Sequence, residues 1–122
     1  MRGVIISPAV AAPAGTFLAK VRDGLIQFPK PIHIWCESAG WTLFRVEVTD
    51  DDRLELNPVL GDDEIDRSDE FHSSLSSDGK LWIPAVLRTM VGMGEQSVMM
   101  RVERIGIAVF LRKVFETLGF GP

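Results

Sequence analysis

Apolar and polar residues alternate over short stretches of this chain and seldom sustain a helical period. In "KLWIP" (80–84) the alternation turns Leu81 and Ile83 inward and Lys80 and Trp82 outward. Pro84, which has no N–H for a ladder, ends that strand. Asp78-Gly79 ahead of it favours a tight turn, because glycine takes positive φ without a steric cost. After Pro84 the period changes: Val86, Leu87, Met90 and Val91 fall at helical spacing and Gly92 suits the helix end, predicting a short helix. A hairpin follows, "SVMMRVE" into "IAVFLRKVF" around a turn near 104–106.

The same sentence is written earlier in the chain. "DGLIQFP" (23–29) precedes "DGKLWIP" (78–84) at an offset of 55, which also pairs Ile26 with Leu81, Ile32 with Leu87 and Leu56 with Leu111. "LFRVEV" (43–48) lines up with "MMRVER" (99–104) if one gap is allowed, equating Arg45 with Arg101. Its hairpin runs from "WTLFRVEV" through "TDDDR" to "LELNPVL". The predicted order is strand, turn, strand, short helix, strand, turn, strand, and then the same again. A unit of about 45 residues cannot bury a sufficient core alone, so two such units are expected to share one. The expected fold is mostly β with short helices, two units closing a pseudo-two-fold barrel. The boundaries are an N-terminal extension (1–16), a first repeat (17–60), an acidic linker (61–71), a second repeat (72–116) and a C-terminal tail (117–122).

Composition narrows the function classes. The 122 residues carry 13 basic and 17 acidic side chains, a net charge of −4, which excludes a nucleic-acid binder that works by total charge but not one with a local basic patch. The acidic residues gather in "TDDDRLE" (49–55) and "GDDEIDRSDE" (61–70), the latter reading as a solvated linker without the glycine pivot of a calcium loop. One cysteine, Cys36, excludes an intrachain disulfide and reads as a small buried apolar residue; with His33 and His72 it does not make a zinc site. No apolar run reaches the ~18 residues of a spanning helix, so no membrane partner is expected. Pro8 interrupts the apolar N-terminal stretch, which favours a cytoplasmic chain over a secreted one. No nucleophile triad, phosphate loop or cofactor motif is present, and the chain reads as a non-enzyme without a cofactor.

"SLSSDGKLWIPAVLRTMVGM" (74–93) resembles the signature of the AbrB/MazE/MraZ swapped-hairpin domain at Gly79, Lys80, Leu81, Ile83, Pro84, Leu87, Arg88, Gly92 and Met93. The first repeat resembles it through Gly24, Ile26, Phe28 and Pro29, and the tandem pair is similar to the MraZ arrangement. The resemblance implies tandem swapped-hairpin (AbrB-like) units and a homo-oligomeric transcription regulator binding double-stranded DNA. It carries the DNA-contacting positions onto Lys80 and Arg88. In the first repeat those positions hold Leu25 and His33, and the cations at hand are Lys20, Arg22 and Lys30. The alternative is an oligomeric protein-interaction module on the same fold, antitoxin-like or a scaffold, docking a protein partner through Phe115, Leu118 and Phe120. Trp41 and Trp82 fit a core or subunit interface better than a base-stacking platform, and Met90, Met93, Met99 and Met100 fit core packing. Arg45 and Arg101 are expected in exposed cross-strand ion pairs with Glu47 or Glu103.

Overall fold

A computed structural model describes residues 12–49, 53–60, 71–104 and 106–111. The N-terminal residues 1–11, most of the acidic linker and the tail from 112 onward lie outside the described residues. The elements run β1 (Thr16–Arg22), β2 (Leu25–Gln27), α1 (Lys30–Ala39), β3 (Leu43–Val48), β4 (Leu54–Pro58), β5 (Phe71–Ser74), β6 (Lys80–Trp82), α2 (Ala85–Val91), β7 (Ser97–Val102) and β8 (Ile107–Leu111). That is the order expected from the sequence, given twice.

All eight strands join one antiparallel sheet in the order β5-β3-β4-β8-β7-β1-β2-β6, a nearly closed barrel. The inward residues of each strand meet inside it. Ile26, Ile32, Phe44, Leu54, Leu56, Leu81, Ile83, Val98, Met100, Ile107 and Val109 have no exposed surface. Each helix adds one apolar face to this core: Ile32, Trp35 and Cys36 from α1, Leu87 and Val91 from α2. Trp41 is half-buried against this core, edge-on to Trp35 with ring centroids 4.5 Å apart.

The pairings fall into two matching sets. The first strand of each half lies on the third strand of the other: β1 on β7 and β5 on β3. Second pairs with second, centred on Ile26 opposite Leu81, and fourth with fourth, centred on Glu55 opposite Ala108. Loop hydrogen bonds repeat the match. Phe28 N–H donates to Gly79 O (2.8 Å) and Ile83 N–H to Gly24 O (2.9 Å). Trp41 N–H donates to Cys36 O and Met93 N–H to Arg88 O, both at 2.8 Å, closing the two helices in one way.

This ladder corrects the alignment of the two hairpins. Val46 faces Leu56 and Phe71, while Met100 faces Val109 and Phe17, so Val46 and Met100 correspond. Arg45 therefore matches Met99, Arg101 matches Glu47, and Leu56 matches Val109 rather than Leu111. Two length differences cause it: α2 ends three residues sooner than α1 but has a link two residues longer, and the β7–β8 connection is one residue shorter than the β3–β4 connection. Both arginines pair with the expected glutamates, but along the chain and not across strands: Arg45 Nε to Glu47 Oε2 at 2.8 Å and Arg101 Nη2 to Glu103 Oε2 at 3.0 Å, each two residues apart.

Trp82 lies outward, as the alternation predicts, and not in the core, and two apolar residues of α2 are left exposed. Trp82 is 50% exposed: Leu81 and Ile83 take the inward positions and leave the indole outside the core of the chain. Met93 and Met100 are core residues, but Met90 is 59% exposed, because the buried face of α2 is Leu87 and Val91. Val86 is left outside with it.

The barrel closes between β5 and β6 by a different means from its counterpart. β1 and β2 pair through three residues, Lys20 to Gln27, Val21 to Ile26 and Arg22 to Leu25. At the β5–β6 seam hydroxyls do part of this work: Ser73 Oγ donates to Trp82 O (2.7 Å), and Ser76 Oγ accepts from Lys80 N–H (2.9 Å). A backbone bond from Ser76 N–H to Lys80 O (2.9 Å) completes it.

Candidate nucleic-acid interface

In an antiparallel sheet, residues directly opposite one another project from the same face. On the outer face of β1, β2 and β6 this rule assembles two rows, Lys20–Gln27–Lys80 and Arg22–Leu25–Trp82. Lys20, Arg22, Gln27, Lys80 and Trp82 are all exposed, and Leu25 is half-buried between them. Three of the five site residues expected from the sequence thus come together on one strip. A shallow groove of about 270 Å³ runs along it, lined by Lys20, Arg22, Asp23, Leu25, Gln27 and Lys80. Lys30, exposed at the first turn of α1, borders a second concavity of about 510 Å³ together with Lys20, His33 and Asp78.

The strip is tied together by one of its own side chains. Gln27 Nε2 donates to Asp78 O (3.0 Å) and Gly79 O (3.3 Å), tying the turn that leads into Lys80 to the middle strand. Ser76 Oγ donates to Asp78 Oδ1. That hydrogen bond, with help from the Asp78 backbone and the Lys80 ammonium, holds the Asp78 carboxyl below the usual aspartate range. Asp78 is therefore ionised at neutral pH, with Lys80 Nζ 3.6 Å from its Oδ2. Its carboxylate partly offsets the positive charge of the strip.

Arg88 is not on the strip. It is half-buried, its Nε donates to Ile83 O (2.9 Å), and its guanidinium lies over Gly24, where an added Cβ would come within 3.1 Å of Nη2. His33 holds the matching place on α1, covering Gly79 with its ring so closely that a Cβ there would sit 2.9 Å from Nδ1. Each helix thus clasps the turn glycine of the opposite half. His33 Nε2 lies 3.4 Å from Glu37 Oε2, an ion-pair distance without hydrogen-bond geometry. The clasp leaves a trace in the sequence: His33 follows Gly24, and Arg88 follows Gly79, by the same nine positions.

Cys36 is fully buried in α1, and burial, with the Glu37 carboxylate adding to it, pushes its thiol up to about 12. It is not a nucleophile at neutral pH. Among the described residues no group of three His, Cys, Asp or Glu side chains is placed to hold a metal ion. No described helix is long and apolar enough to cross a membrane. The residues named for protein docking, Phe115, Leu118 and Phe120, lie outside the described residues.

Fold and strip together define a small, nearly closed antiparallel β-barrel with two short helices and a cationic, aromatic-bearing outer face. The chain matches no protein-family model and no curated protein.

Proposed function

We propose that the protein is a DNA-binding regulator of the AbrB/MraZ type, built from tandem swapped-hairpin units and acting as a cytoplasmic homo-oligomer. The observation that carries the reading is the strip itself. Lys20, Arg22 and Lys80 come from three strands and from both halves of the chain, yet converge on one outer face. The exchange of first and third strands between halves supports the swapped-hairpin assignment. Lys20 and Lys80 each neutralise a phosphate, Arg22 has the planar fork that can take two oxygens, and Lys30 extends the track toward α1. Arg88, engaged with Ile83 O, supports the clasp rather than the contact.

Anisotropy of a labelled random duplex at 50 and 200 mM salt tests this. Three or four phosphate contacts weaken binding roughly 40- to 150-fold over that range. The double variant Lys20→Ala/Lys80→Ala lowers the logarithmic salt slope by about two. An unchanged affinity and slope in that variant would overturn the reading.

A second reading, an oligomeric protein-interaction module, is favoured by α2. Val86 and Met90 lie one turn apart and are each more than half exposed, an apolar face suited to a protein contact.

A further inference from the structure

We propose that Trp82 is a stacking platform for an unpaired base, so that the β1–β2–β6 face takes single-stranded or locally opened DNA. The proposal rests on the DNA-binding reading above and goes on to name the form of DNA.

Three observations carry it. First, the indole is held out on purpose-built backbone. Leu81 and Ile83, with no exposed surface, fix which way β6 faces, Leu25 pairs with Trp82 across the sheet, and Ser73 Oγ holds the Trp82 carbonyl at 2.7 Å. Laddered to β2 through Leu25, the strand carries the ring at a fixed register, so less freedom is lost when a base lands on it than on a loop. Second, its neighbours on the same face are cationic: Arg22 lies in its own row and Lys80 two residues before it. A nucleotide stacked on the ring has its phosphate within the ground these side chains sweep, the pairing of aromatic and cation that single-strand binders use. Third, the charge on the strip is small. Asp23 and Asp78 stand against Lys20, Arg22 and Lys80, leaving a surplus of one positive charge, or two with Lys30. Counterion release from so few phosphates is a weak source of duplex affinity, whereas stacking does not depend on it.

Duplex DNA also has nothing to offer this ring. Within the stack both faces of a base are covered, and only its edges show in the grooves. An indole carried by a sheet reaches a base face only once the base leaves the stack.

The test uses the full chain and three labelled probes of one random sequence: a 20-nucleotide single strand, its duplex, and the duplex with a central mismatched bubble. The wild type is expected to bind strand and bubble about tenfold or more tighter than duplex, with quenching of indole fluorescence. Trp82→Leu should lose roughly tenfold on strand and bubble, change duplex binding less than about twofold, and abolish the quenching, while Trp82→Phe retains most of the affinity. Lys20→Ala/Lys80→Ala should weaken all three probes. Duplex bound as tightly as single strand, with Trp82→Leu neutral, overturns this inference and leaves the DNA-binding reading standing. No binding to any probe overturns that reading and this one with it. Loss of self-association in Trp82→Leu by light scattering, at unchanged single-strand affinity, reassigns the indole to a contact between copies and overturns the inference.

Discussion

Cys36 illustrates how a single side chain is governed by its surroundings. The thiol, with no exposed surface on α1, has its ionisation pushed to about 12, and burial is the main cause. Because the folded value lies above the unfolded one near 9, the neutral thiol adds stability that is fully present below about pH 9. That contribution is lost as pH rises toward 12. Urea unfolding between pH 8 and 11 should show the wild type losing up to roughly 1.4 kcal/mol per pH unit more than Cys36→Ala above pH 9. Equal alkaline slopes would contradict this. The burial of Cys36 was readable from the sequence, as was the inward turn of Leu81 and Ile83, since alternation and composition are local properties. The work of Arg88 was not. A helix arginine after a proline-ended strand looks like a free cation until Gly24, 64 positions earlier, is seen beneath it.

At the scale of elements, the turns before β2 and β6 explain why the chain writes Asp-Gly twice. Asp23 and Gly24 both have positive φ (54° and 78°), the geometry of a type I′ hairpin, and Gly79 has φ 84°. Beyond the backbone demand, each glycine lies against the helix of the other half, and the two contacts differ in compliance. Gly24 meets the far end of Arg88, which can swing aside; Gly79 meets the His33 ring and the Gln27 amide, at 2.9 and 3.1 Å from an added Cβ. Gly24→Ala should cost roughly 1–2 kcal/mol, mainly for its left-handed backbone. Gly79→Ala should cost about 2–3 kcal/mol, because the ring must move as well. Denaturant midpoints rank the two, and the opposite order would refute the clasp. Element order and turn positions were legible in the sequence because they depend on runs of a few residues. Strand partners were not. Alternation gives β1 an inward face, but nothing within Thr16–Arg22 says that it lies on β7 rather than on β3.

At the scale of the molecule, the interleaving makes the two halves inseparable. Every one of β1, β2 and β4 has a ladder partner in the second half, and β5 has its partner in the first. A piece ending near residue 65 keeps the β3–β4 and β1–β2 hairpins but loses the strands that cover their inner faces. Residues 1–65 and 66–122, made separately, should be unfolded by circular dichroism and regain β structure on mixing in equal amounts. If either piece folds alone as a monomer, the shared interior is refuted. Long-range pairing of this kind also puts folding in the millisecond-to-second range, with one cooperative transition.

Ser73 and Ser76 set how this barrel breathes. A ladder comes apart rung by rung, but a joint of two hydroxyl bonds and one backbone bond opens once two side-chain torsions rotate and that single rung gives way, without waiting for the rest of the sheet. Amide protons at Gly79 and Lys80 should therefore trade with deuterium ahead of those of Ile26 and Val98. Ser76→Ala, which removes the acceptor for the Lys80 N–H, should hasten that exchange locally while global unfolding shifts by about 1 kcal/mol or less. The weakest hoop of the cask thus runs directly behind its only strand bearing both an outward lysine and an outward tryptophan among the described residues.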